Sequence, residues 1–141
     1  MQRRLKQVRV GAVQMISCKG RVGDNVAKAL NYCDRAAKKS VEILCLPECA
    51  STGFEWLDDR GAAVNIYAES VPGPMVEVFA EKARATGIYI IFGVVERPQN
   101  ANKIYNTAFL VGLEEGYIGR HRKVHAAAGA GDGQRSASGH R

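Results

Sequence analysis

No stretch of this 141-residue chain is apolar over the length a membrane-spanning helix needs, about 20 residues. The opening Met1-Gln2-Arg3-Arg4-Leu5-Lys6 carries charge but no apolar segment, so it does not resemble a signal peptide. The expectation is a cytoplasmic protein with no membrane partner. Cysteine is scarce. The four present (Cys18, Cys33, Cys45, Cys49) are too few for a disulfide scaffold of this size, and Cys45 and Cys49 lack the CxxC spacing of a zinc or redox motif. Nothing in the spacing fixes His121 and His125 beside Cys49 as metal ligands, so no metal is expected. Acidic residues are outnumbered 14 to 20, for a net charge of +6. The bases are scattered, however, apart from Arg3-Arg4-Leu5-Lys6 and Arg120-His121-Arg122-Lys123. That distribution describes a solvated surface, and no nucleic-acid partner is expected. From Ala126 onward there is no Leu, Ile, Val, Met or aromatic residue. Such a segment cannot bury enough surface to offset its ordering entropy and should be disordered.

What is present fits a soluble globular chain of one domain at most, with 46% apolar and 24% charged residues. The chain divides into a basic extension (1–7), a domain (8–125) and the tail (126–141). Val8 to Met15 forms a first strand. Ser17 to Gly23 is a loop, and Asp24 is placed to cap a helix. Along that helix Val26, Ala29, Leu30, Cys33, Ala36 and Ala37 share one face, while Lys28, Asn31, Arg35 and Lys38 face water. Val41 to Pro47 follows as a buried strand that ends where proline removes a ladder donor, and Cys45 lies within it as a core thiol. This strand–helix–strand unit is most simply a right-handed crossover between parallel strands. Ser51-Thr52-Gly53-Phe54 and Trp56 form a loop at the strand end, suited either to lining a pocket or to covering the core. Residues 57–70 hold a short helix interrupted by Gly61. Pro74 then opens a helix with Val76, Phe79, Ala80 and Ala83 on its apolar stripe, stopped by Gly87. Ile88 to Val95 is the strongest strand in the chain. Ile104 to Val111 and Tyr117 to Arg120, joined by Glu114-Glu115-Gly116, make an antiparallel hairpin. The fold class is therefore α/β, a mixed sheet with flanking helices.

The candidate site starts from Glu48, a carboxylate at the carboxyl end of a central strand. In open α/β sheets sites form in the crevice beyond the strand ends. A carboxylate partly withdrawn from water there is suited to act as a base.

Several short motifs, in order, resemble the amino-terminal part of a carbon–nitrogen hydrolase of the nitrilase superfamily. They are Val10-Gly11-Ala12-Val13-Gln14, Asn25, Leu46-Pro47-Glu48 with Gly53, Pro72-Gly73-Pro74, the strand bearing Gly93, Tyr105-Asn106-Thr107-Ala108, and Gly119-Arg120-His121-Arg122-Lys123-Val124-His125. The resemblance implies roughly the first half of an αββα sandwich. It also implies hydrolysis of non-peptide C–N bonds in small amide or carbamoyl compounds by a Glu-Lys-Cys triad, with no metal or cofactor, and a homo-oligomer in full-length relatives. By motif, Glu48 corresponds to the general base and Lys123 to the lysine that stabilises the oxyanion. In isolation Lys123 would pass for a solvated strand-end lysine and Glu48 for a turn residue.

The family's nucleophilic cysteine follows the lysine motif, yet no cysteine follows Lys123 in this sequence. Cys49 adjoins Glu48, but neighbours on an extended chain point to opposite faces, which places its thiol poorly for proton exchange. The resemblance ends after His125, as expected of a truncated or frameshifted reading frame. The resulting expectation is a chain inactive alone, or a non-catalytic half-domain that pairs with a complementary or homologous chain. It would be aggregation-prone, because one sheet face loses its cover.

Overall fold

The computed structural model describes residues 7–54, 67–101 and 103–124. Trp56, His125, the tail from Ala126 and most of the short helix expected over 57–70 lie outside that range. Within it run β1 (Val10–Ala12), α1 (Val22–Ala37), β2 (Ile43–Cys45), α2 (Pro74–Thr86), β3 (Tyr89–Glu96), β4 (Tyr105–Gly112) and β5 (Gly116–Arg122). The strands form a five-stranded mixed sheet in the order β1-β2-β3-β4-β5. β1, β2 and β3 are parallel; β4 and β5 add on antiparallel as the expected hairpin.

Both helices lie on one face. Ala29, Cys33 and Ala36 of α1 and Val76, Phe79, Ala80 and Ala83 of α2 close over Leu44, Leu46, Ile90, Phe92, Val94, Phe109 and Val111. The stripes expected from helical spacing are thus the ones buried. Phe79 anchors α2 to the sheet. Its ring stacks on Phe92 at 4.0 Å between centroids and meets Phe109 edge-on at 6.1 Å. Gly87 ends α2 in the left-handed region, φ 69°, and donates its N–H to the Ala83 carbonyl.

Several boundaries differ from the sequence expectation, β5 among them, which runs over Gly116–Arg122. β1 and β2 each keep only three paired residues, although backbone bonds run on past them, from the Glu42 N–H to the Arg9 carbonyl and from the Val13 N–H to the Cys45 carbonyl. α1 begins at Val22, two residues before Asp24. Asp24 sits in its first turn instead, paired with Arg21, where its charge favours the positive end of the helix dipole. Cys45 is only partly buried, not a core thiol, since the period of two turns it away from Leu44 and the helices.

The second face of the sheet is different in kind. Val10, Ile43, Cys45, Ile91 and Leu110 alternate with the core residues and are paired across the ladder, so they point away from the helices. Among the described residues no second helical layer packs on them: Val10 is 64% exposed, and Ile43, Cys45, Ile91 and Leu110 stay partly exposed. No helix among the described residues is long and apolar enough to cross a membrane.

Candidate active site

The carboxyl end of β2 is steered onto this open face. Leu46 makes the last ladder bond, its N–H to the Ile91 carbonyl at 2.9 Å. Pro47, Glu48 and Cys49 then cross close over β3 at Gly93. A Cβ at Gly93 would stand 2.5 Å from the Pro47 oxygen and 3.0 Å from the Glu48 Cα, so only glycine leaves room for the crossing. Cys49 takes φ 50° and the chain turns, with Thr52 and Gly53 N–H groups donating to the Cys49 carbonyl.

The loop beyond Glu48 is held from behind by Asn25. This side chain is fully buried. Its amide nitrogen donates to the carbonyls of Cys18 and Ser51, and its oxygen accepts the Cys18 N–H at 2.8 Å. One asparagine thus ties the loop before α1 to the loop after Glu48, where it satisfies backbone groups that burial would otherwise leave unpaired. Gly53, at φ 81°, fits against Ser17 and Lys19 backbone in the same junction.

Glu48 reaches two strands across the open face. Lys123 Nζ donates to both its oxygens, at 2.7 and 3.0 Å. The Asn106 amide nitrogen also donates to Glu48 Oε1. Lys123 continues β5, its N–H bonding the Asn106 carbonyl at 2.8 Å. Both partners of the pair are 39% exposed, so Glu48 is less withdrawn from water than its strand-end position suggested. The two predicted site residues, 75 positions apart in sequence, are therefore in contact. Asn106, quoted in the sequence only as part of a motif, is the third member of the cluster.

On the opposite face of the same strands lies a second charged group. Glu96 is wholly buried and receives Arg122 in a two-pronged pair, Nε to Oε2 at 2.9 Å and Nη2 to Oε1 at 2.7 Å. The Thr107 hydroxyl donates to Oε2 at 2.7 Å, and Arg120 stands 3.3 Å away. Burial pushes the Glu96 carboxyl up, but the hydrogen bonds from Arg122 and Thr107 and the charges of both arginines outweigh it and hold it below the ordinary value. The same pairing raises Arg122 above its ordinary range. Glu96 carries little signal in the sequence beyond a carboxylate ending the most apolar strand.

Cys49 is fully buried in a small cluster with Val95, Ala68 and Ile104. Cys33 lies in the core, where burial pushes its thiol up to about 12. Among the described residues no group of three His, Cys, Asp or Glu is placed to hold a metal. The arrangement on the open face is a carboxylate held against an ammonium and an amide, the kind of pair that general-base and charge-stabilising chemistry uses.

Comparison with known proteins converges on one family. The pattern described as carbon-nitrogen hydrolase matches residues 9–137. The chain is 33% identical over 104 residues to omega-amidase NIT2-B of Xenopus laevis and 31% identical over 104 residues to omega-amidase NIT2 of Homo sapiens. Each match covers 72% of this chain but 35% of the relative, so the chain spans about a third of their length. The fold is shared with Nit3 of Saccharomyces cerevisiae, a member of branch 10 of the nitrilase superfamily. That likeness has a TM-score of 0.72 at 24% identity and covers 84% of this chain and 44% of the other. An N-terminal amidase superposes with a TM-score of 0.74 at 23% identity, covering 86% and 29%.

Proposed function

The chain belongs to the carbon–nitrogen hydrolase family, and from that membership we propose that it carries two-thirds of a Glu-Lys-Cys centre for hydrolysing the C–N bond of small amides or N-carbamoyl compounds. The observation that carries this reading is the contact of Lys123 Nζ with both Glu48 oxygens.

Glu48 is the general base. It takes the proton of a cysteine thiol, and the thiolate attacks the substrate's carbonyl carbon. The carbonyl electrons move to oxygen, where the Lys123 ammonium stabilises them. The intermediate collapses as its C–N bond breaks. The nitrogen leaves as ammonia or an amine with the proton from Glu48. Water, deprotonated by Glu48, then attacks the thioester, and the acid departs with the thiol restored. Asn106 fixes one Glu48 oxygen during this exchange of protons.

The thiol comes from outside these 141 residues. No cysteine follows Lys123 in the sequence, and Cys49 is too deeply buried for a substrate to reach. The experiment measures ammonia release from a panel of small primary amides and carbamoyl compounds. The purified chain gives none above buffer. Adding the portion of a relative that follows the matched segment, with the family's cysteine, restores release, and Glu48→Ala or Lys123→Ala abolishes what was restored. Turnover by the chain alone, lost in Glu48→Ala, would overturn the need for an outside thiol. Restored turnover indifferent to Glu48→Ala would overturn its role. That second result favours the alternative suggested by the uncovered sheet face, a non-catalytic half-domain that pairs with a complementary or homologous chain.

A further inference from the structure

β5 carries the backbone up to Lys123, and little apolar burial holds it in place. Its residues are half-buried or exposed throughout, and Gly116 and Gly119 add no side chain. The pairing with β4 already shifts between Leu110 and Val111. Register is strongly specified where one face of a strand is apolar and buried, and weakly specified otherwise. A slip by one residue sends every side chain to the opposite face. In β5 such a slip would turn Lys123 toward the helices and Arg122 toward Glu48. Near the turn, the hairpin itself and Tyr117 packed on the core hold the register; beyond the shift at Leu110/Val111, toward Lys123, something other than hydrophobic burial must hold it.

The Glu96 cluster is built where that selection is needed. Glu96 ends β3, Thr107 sits on β4, and Arg122 and Arg120 on β5, so one carboxylate joins three strands on the helix-facing side. Arg120 also donates to the Val71 carbonyl ahead of α2. The Arg122 guanidinium lies 4.2 Å over the Tyr105 ring, so its orientation is fixed twice. A buried ion pair contributes little net stability compared with apolar residues of the same shape, and its best-attested use is to specify register. A one-residue slip turns Arg120 and Arg122 to the other face and leaves the Glu96 charge buried without its partner, which is strongly unfavourable.

We infer that Glu96 is a positioning residue for Lys123: by gripping Arg122 on the buried face, it locks β5 in the register that delivers the next residue, Lys123, to Glu48 on the open face. The inference rests on the proposed role of the Glu48–Lys123 pair for its functional meaning, but its test does not require turnover.

The full chain is labelled briefly with acetic anhydride and each lysine is quantified by mass spectrometry. Glu48→Gln sets the reactivity of Lys123 without its partner. Glu96→Gln should raise Lys123 labelling to the same level, roughly two- to fivefold, the range expected for loss of a partly exposed ion pair. Lys82, paired with Asp34 at 2.6 Å between the helices, should keep its rate. Unchanged Lys123 labelling would overturn the inference. A parallel rise at Lys82 would do so as well, since it would mean general loosening. If Glu96→Gln fails to fold, Arg122→Lys is read in the same way, because it keeps the charge but loses the two-pronged grip. If the labelling is as expected while hydrolysis is never restored, the functional reading fails and the lock stands.

Discussion

At the residue scale, Gly93 shows how a missing side chain can shape a site. Its backbone φ is not in the left-handed region, so conformational freedom is not the reason for glycine there. The reason is space: the Pro47–Cys49 backbone crosses where a Cβ would be. Gly93→Ala must push rigid backbone rather than the end of a flexible side chain. It should cost roughly 1–3 kcal/mol as overpacking does, and it should lift Glu48 away from Asn106 and Lys123. Urea unfolding of the variant, with Lys123 labelling as a local readout, checks both effects; a wild-type midpoint with wild-type labelling would contradict the space argument. Glu48 and Lys123 were legible in the sequence because each lies in a dense local motif. Asn25 and Asn106 were visible only as motif letters. What they do depends on which carbonyl or carboxylate stands opposite after folding, and no local pattern encodes that.

At the level of elements, the legible features were those with a strong apolar period. The two helices, β3 and the β4–β5 hairpin follow from spacing and from Gly87 and Gly116, the latter at φ 68°. The start of α1 is harder to read: Asp24 offers a good capping side chain, yet the helical bonds already begin with the Asn25 N–H on the Arg21 carbonyl, which puts the start at Val22. β5 was legible as a strand, but its register was not, since charged contacts rather than apolar alternation specify it. This gives a prediction in pH. Glu96 is depressed in the folded state, so its contribution is fully present above the unfolded carboxylate value and is lost as pH falls through the lower folded value. Glu69, whose oxygen accepts the Met75 N–H at the start of α2, is raised by burial and acts in the opposite sense; its contribution is present at low pH and lost as pH rises through the raised value. Wild-type acid stability therefore mixes two opposing limbs, and the informative quantity is a difference. The stability gap between wild type and Glu96→Gln, from urea melts between about pH 6 and about pH 3, should narrow toward the acid end. A gap constant across that range would mean that the Glu96 charge contributes nothing.

At the scale of the whole molecule, the sheet has one face that helices close and one that nothing covers among the described residues. The helix side closes over three phenylalanines and a continuous aliphatic core. The other side presents Val10, Ile43, Cys45, Ile91 and Leu110 in paired rows, with Val10 and Ile118 well exposed, next to the Glu48–Lys123 pair. Apolar surface of this kind marks an interface or an aggregation liability, and among the described residues the outer strands β1 and β5 are each paired on one side only. The same surface borders the site, so whatever covers it also decides how dry the Glu48–Lys123 pair becomes, and charge stabilisation by a fixed ammonium strengthens as water is excluded. Stability and chemistry are thus predicted to arrive together. The 141 residues alone should bind a hydrophobic dye and scatter light increasingly with concentration. Adding the remaining portion of a relative should suppress both signals over the same titration that restores ammonia release. A monomer that melts cooperatively, at a midpoint independent of concentration and without dye binding, would show that this face is stable uncovered. The coupling between cover and catalysis would then have to be abandoned.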